Sequence, residues 1–150
     1  MTTEALQYYG LAGIIVFSFL GSSIIPMPML PVEAVVALGY AMGINTAVLF
    51  TAVVLSSSLG GYTTYFIGRA GSRILDRFDS NKVAKVREHL ERWGSVYVLL
   101  SSLLFIIPYD IVALCCGMMK VNKYRFLAAT ITGKVVRISI VLAVLKLGWG

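Results

Sequence analysis

"IIPMPMLPVE", residues 24–33, sets three prolines (Pro26, Pro28, Pro31) and a glutamate inside sequence that otherwise reads as membrane-spanning. Proline lacks the backbone N–H and clashes with the preceding turn, so a helix does not run straight through such a cluster. On either side lie two uncharged runs, residues 5–32 and 34–68, which are 28 and 35 residues long and are parted only by Glu33. About 20 apolar residues cross a bilayer. The 150-residue chain is 58% apolar and 13% charged, with a mean hydropathy of +0.84. Soluble domains run at about 45–50% apolar and about 25% charged. The composition is that of an integral membrane protein, and no nucleic-acid partner is expected.

Residues 34–68 as one straight helix would reach about 52 Å, against a hydrocarbon core of about 30 Å. The run must therefore turn, and Gly39, Gly43 and Asn45 supply the turn signals. They leave Thr46–Gly68 as a spanning segment of 23 residues. The piece before it, Val32–Met42, reaches about half-way across. Leu11–Ile25 is short as well. Two short apolar helices joined by a proline-rich corner predict a re-entrant hairpin that enters and leaves by one face, with the quoted stretch at its tip.

The second half repeats the pattern. Residues 94–109 are uncharged and run into "IIPYD" (residues 106–110, with Pro108 and Asp110), residues 111–119 are a further short apolar piece, and residues 123–147 are long enough to span. A constant shift of 77 residues pairs Pro31 with Pro108, Glu33 with Asp110, Asn45 with Asn122 and Arg69 with Lys146. The predicted fold is an all-α membrane protein of one domain, residues 1–150. It has two inverted repeats (about 5–68 and 94–147), each a re-entrant hairpin followed by a transmembrane helix, with a connector at 69–93. Many transporter folds are built from such repeats.

Charge sets the orientation. Ten of the thirteen Lys and Arg residues lie between Arg69 and Arg125, and none precedes Arg69. Residues 69–93 and 120–125 are therefore expected on the cytoplasmic side and both termini outside. "MTTEALQYYG" has no Lys or Arg before its apolar run and no small-residue cleavage site, which reads as a retained segment. In the connector, Leu75, Phe78, Val83, Val86, Leu90 and Trp93 recur at helical spacing opposite basic residues. Such an amphipathic helix either binds anionic lipid headgroups or packs its apolar stripe on the bundle.

Cys115 and Cys116 are adjacent and apolar in context, an arrangement unsuited to a bridge between them, and they read as packing residues. The single His89 has no thiol or second imidazole near it in sequence, so no metal is expected and no cofactor is predicted.

Four ionisable residues fall at membrane depth. Glu33 and Asp110 follow the two corners, and Lys134 and Arg137 lie three apart on one face of the last helix. Each costs at least about 2.5–3.5 kcal/mol on insertion scales unless it is paired or lines a polar cavity. Their formal charges cancel, and the expectation is one buried site closed by the two tips. The matching stretch of the first spanning helix is "SSSLGG", residues 56–61, including Ser57 and Gly61, which allows close approach and hydrogen bonding. Either the four are structural salt bridges, or Lys134 and Arg137 receive an anionic headgroup while the carboxylates compensate them in its absence.

"PVEAVVALGYAMG", "GGYTTYFIGRAGSRIL" and "IPYDIVALCCGMMKVNKYRFLAATITGKVVR" together resemble the DedA family, the wider group also called the VTT or SNARE-associated Golgi protein domain, over roughly residues 20–140. The Gly68-Arg69-Ala70-Gly71 turn carries part of the match, and Pro108-Tyr109-Asp110 with Gly117, Phe126 and Gly133-Lys134 through Arg137 carries the more specific part. The resemblance implies two re-entrant hairpins and movement of lipids between leaflets: polyprenyl phosphates or phospholipids in bacterial members, scrambling in eukaryotic relatives. It implies a prokaryotic cytoplasmic membrane, and a proton-linked role for Glu33 at the family's membrane-embedded acidic position. Many bacterial members carry arginines on both sides of the second proline. Here Phe105 precedes Pro108 and no arginine occurs from residue 93 to 124, which sets this chain nearer the branch with a Pro-Tyr-Asp tip. It lacks flanking helices, marking it as a minimal version or as dependent on homo-oligomerisation.

A lipid transporter or scramblase for a phosphate-bearing lipid, with proton coupling a further option, is the leading expectation. The alternative is a non-transporting assembly or structural factor, for which Gly39-x-x-x-Gly43 is a candidate helix contact. An intramembrane lipid-phosphate hydrolase would want a histidine base. The one histidine sits in the connector, and no catalytic residue is expected.

Overall fold

From Glu33 onward the backbone closes two short helices, those that end near residues 41 and 118, with the same turn. In the computed structural model, Gly43 N donates to the Tyr40 carbonyl at 3.0 Å and Ile44 N to the Gly39 carbonyl at 3.2 Å, with Gly43 at φ +71°. This paired closure satisfies carbonyls that the helix end leaves open. Asn45 then caps the following helix by accepting from Ala47 N at 2.9 Å. Seventy-seven residues later the closure recurs bond for bond. Lys120 N donates to the Gly117 carbonyl at 3.1 Å, Val121 N to the Cys116 carbonyl at 3.0 Å, and Asn122 accepts from Tyr124 N at 2.9 Å.

The structure describes residues 3–21, 32–71, 80–104 and 109–149. Within them the elements are α1 (Thr3–Gly21), α2 (Val32–Ala41), α3 (Thr46–Ala70), α4 (Ser80–Trp93), α5 (Ser95–Leu103), α6 (Tyr109–Met118) and α7 (Lys123–Trp149). Pro26, Pro28, Pro31 and Pro108, the expected hairpin tips, lie outside the described residues, as do Leu75 and Phe78 of the connector. The second helix of each expected pair starts and stops at equivalent positions, α6 lying 77 residues after α2 at both ends.

The first helix is longer than Leu11–Ile25 suggests. It begins at Thr3, with Glu4 in its first turn where a negative charge complements the helix dipole. Its outer turns are also held from outside, because Gln7 Nε2 donates to the Gly43 carbonyl at 3.4 Å.

Two apolar cores lie end to end. One gathers Ile14 of α1, Val35 and Val36 of α2, Leu49 and Val53 of α3, and Ile138 and Leu142 of α7. The other gathers Tyr65 of α3, Val86 and Leu90 of α4, Val98 of α5, residues 111–116 of α6, and Phe126 and Ala129 of α7. The start of α3 thus lies beside the end of α7, and the end of α3 beside the start of α7. The two long helices run antiparallel and serve both cores. At 25 and 27 residues they measure about 37 and 40 Å, enough to cross a bilayer. Their outer faces are apolar stripes, Val48, Leu55, Leu59 and Phe66 on α3 and Val136, Ile140, Val144 and Leu147 on α7, as contact with lipid requires.

Of the connector's apolar stripe, the described residues other than the exposed Trp93 meet protein. Val83, Val86 and Leu90 pack into the second core against α6, while the basic side chains face outward. His89 stacks on Tyr97 with centroids 5.2 Å apart. Cys115 and Cys116 are free thiols buried in that core. Gly39 is spent inside the molecule, since a side chain there would strike Leu49 and Ile14.

Candidate functional site

The site lies where the two cores meet, at the middle of α3 and α7. Lys134 is carried into it because Gly133 beside it lets α7 approach α5, where a Cβ would strike Ser102. Only 8% of Lys134 remains exposed. Its Nζ donates to the Ser57 carbonyl on α3, and the ammonium lies over the Tyr109 ring of α6, 4.9 Å from the centroid. Tyr109 is fixed in turn by a 2.9 Å hydrogen bond between its hydroxyl and Thr130 Oγ1, one turn before Lys134 on α7. Its hydroxyl edge packs against Gly61, where any Cβ would collide with the ring.

One turn further along α7, Arg137 forms a salt bridge with Glu33 of α2. The two side chains are about a quarter exposed, 23% and 25%, yet both carboxylate oxygens of Glu33 are shut off from solvent. Asp110 is half-buried and makes no direct ion pair among the described residues, although its field reaches Lys134. Lys134 also lies in the fields of Glu33 and Arg137, so the four charges form one electrostatic group. The two carboxylates are not equivalent for a simple reason. Arg137 faces Glu33, but the position 77 residues before Arg137 is Gly60, which offers Asp110 no cation.

Ser57 and Gly61 therefore stand at the charged cluster, the first through its carbonyl and the second as the seat for Tyr109. Arg69 and Gly117 stand elsewhere, at the far end of α3. Arg69 Nη1 donates to the Tyr65 hydroxyl at 3.4 Å, and that hydroxyl donates to the Val121 carbonyl. Gly117 allows α6 to lie on α3, because a Cβ there would strike the Tyr65 carbonyl. Two participants escape a sequence reading: Tyr109 as the ring beneath Lys134, and Thr130 as its hydrogen-bond partner. The signal for Thr130 is its place four residues before Lys134, on the same helix face.

Two membrane-length antiparallel helices around a charge-compensated polar centre define an integral membrane protein. Residues 25–147 match the VTT domain, and the chain belongs to that family, the one that includes the DedA membrane proteins. It is similar to an uncharacterized protein of Methanocaldococcus jannaschii, 24% identical over 139 residues, covering 91% of this chain and 84% of the relative. No solved structure matches it. Family membership and helical membrane architecture support a general lipid-handling role and are consistent with a non-catalytic transporter.

Proposed function

We propose that this protein moves a phosphate-bearing lipid, a polyprenyl phosphate or a phospholipid, between the leaflets of a cytoplasmic membrane, and that the Glu33–Arg137 pair is its exchangeable contact. The observation that carries this reading is the salt bridge with its carboxylate closed off from solvent, beside a second buried cation, at the junction of two cores. A guanidinium binds phosphate through the same fork that it offers a carboxylate. An arriving phosphate takes the place of Glu33 on Arg137, with Lys134 adding a second positive charge. The displaced Glu33 is then a buried carboxylate without its cation, which favours uptake of a proton and provides a coupling step.

The two halves form an inverted repeat of re-entrant hairpins in this proposal, with the basic segments 69–93 and 120–125 on the cytoplasmic side. The recurrence of each turn hydrogen bond at a shift of 77 residues and the antiparallel course of α3 and α7 support that arrangement. The outward basic face of α4 suits anionic headgroups, and the protein works as a homo-oligomer in this proposal.

The test is leaflet exchange in liposomes containing the wild type, Glu33→Gln or Arg137→Ala, comparing a polyprenyl phosphate with ordinary phospholipids, with and without a pH gradient. Exchange that needs both residues supports the proposal. A folded wild type that exchanges no lipid sinks it. The second reading, a structural or assembly factor, draws on the fact that Arg137 and Lys134 both find partners within the chain; it predicts that both variants lose stability and nothing else.

A further inference from the structure

Apart from the central cluster, a cavity of about 470 Å³ opens where the end of α3 meets the α6–α7 turn. Arg69, Lys120 and Lys123 line it together with Phe66, Asn122 and Tyr124, and no carboxylate among the described residues does. Arg69 is steered toward the turn by its hydrogen bond to the Tyr65 hydroxyl, which itself holds the Val121 carbonyl. Lys123 lies against the Tyr124 ring, 5.2 Å from its centroid. Three cations from two elements thus share one concave space.

The fold itself does not ask for these cations. The equivalent turn of the first half has the same hydrogen bonds but carries Gly43, Thr46 and Ala47 where the second carries Lys120, Lys123 and Tyr124. Lys120 also adopts φ +54°, the one positive-φ residue other than glycine among those described, at a position its counterpart fills with glycine. A lysine held in the left-handed region costs backbone energy that glycine does not, and such outliers point to a use for the side chain. A preference for positive charge on one side of the membrane is met by any flanking position and does not require this one. Phe66 and Tyr124, 44% and 71% exposed, place the cavity at the level of the headgroups, where aromatic side chains collect.

From the cavity and the misplaced lysine we infer that Arg69, Lys120 and Lys123 form a surface site for a phosphate monoester, distinct from the half-buried Glu33–Arg137 pair. The phosphate is that of an anionic lipid in the adjoining leaflet or a soluble phosphate, and binding is independent of lipid movement.

Lys120→Gly is the decisive variant, because it removes a cation while relieving the turn. Native mass spectrometry in detergent measures retention of phosphatidic acid against phosphatidylcholine, and calorimetric titration uses inorganic phosphate. The wild type is expected to prefer phosphatidic acid. Lys120→Gly and Lys123→Gln each lower that affinity about tenfold, the loss of one charge-assisted contact. The unfolding temperature of Lys120→Gly stays equal or rises, and Lys146→Gln, an exposed cation in the last turn of α7, leaves affinity unchanged. Phosphate binding lost in the same variants assigns a soluble ligand; binding of phosphatidic acid alone assigns the lipid. Wild-type affinity in Lys120→Gly, an equal drop in Lys146→Gln, or no binding of either probe by the wild type overturns the inference.

Discussion

Lys134 and Ser57 stand 77 residues apart, the same interval that relates the two turns, and they touch: the ammonium of one donates to the carbonyl of the other. Two antiparallel helices that meet at equivalent positions cross at that point. Whatever sits there is seen by both halves of the chain, which is why the charges of α2, α6 and α7 gather at the "SSSLGG" stretch of α3.

Glu33 and Arg137 are expected to behave as a coupled pair. A double-mutant cycle with Glu33→Gln and Arg137→Gln, read by denaturant or thermal unfolding in detergent, should give a coupling of about 1–3 kcal/mol. Either single change takes the opposite charge of the pair away from the residue that remains, so the two single costs should sum to more than the cost of the double change. Additive effects would show that the salt bridge contributes nothing.

Gly61 and Gly117 both exclude a side chain, but against different obstacles. At Gly61 the obstacle is the Tyr109 ring and hydroxyl, whereas at Gly117 it is the Tyr65 carbonyl. Gly61→Ala is expected to cost about 1–3 kcal/mol, as overpacking does, and Tyr109→Leu in the same chain should recover part of it. Gly117→Ala should cost at least as much and should resist rescue by any change at Tyr65, because the backbone stays in place. Comparing unfolding temperatures of the four variants decides this.

The two capping asparagines should be worth similar amounts. Asn45→Ala and Asn122→Ala each remove an acceptor for an open helix N–H, at 2.9 Å in both cases, and each should cost about 1 kcal/mol. Amide exchange at Ala47 and Tyr124 reports the loss locally.

Much of this was legible in the chain because glycine, asparagine and charge mark where an apolar run must end. The limits of α2 and α3 fall within two residues of the positions that Gly43, Asn45 and Arg69 indicate. The equivalence of the serine-rich stretch to the stretch around Lys134 is visible in the 77-residue register, whereas the contact between Lys134 and Ser57 shows only in the packed helices. The outer turns of α1 were not, since their support comes from Gln7 reaching the Gly43 turn, a contact between distant segments. Nor was the partner of α4, because an apolar stripe at helical spacing is the same whether lipid or α6 covers it. Tyr109 was hidden for a third reason: an aromatic at a helix start reads as core or interface, and only tertiary structure sets Lys134 above it. The difference between Glu33 and Asp110 follows from Gly60, whose bearing on Asp110 shows only once the helices are packed.

The most direct test of the central claim is leaflet exchange of a phosphate-bearing lipid by Arg137→Lys, with its unfolding free energy measured alongside. Lysine keeps the positive charge opposite Glu33 but loses the two-pronged geometry that fits phosphate. The account predicts stability within about 1 kcal/mol of the wild type and exchange slower by about tenfold or more. Exchange at the wild-type rate, with any change confined to stability, would contradict it and leave the pair as a brace between α2 and α7.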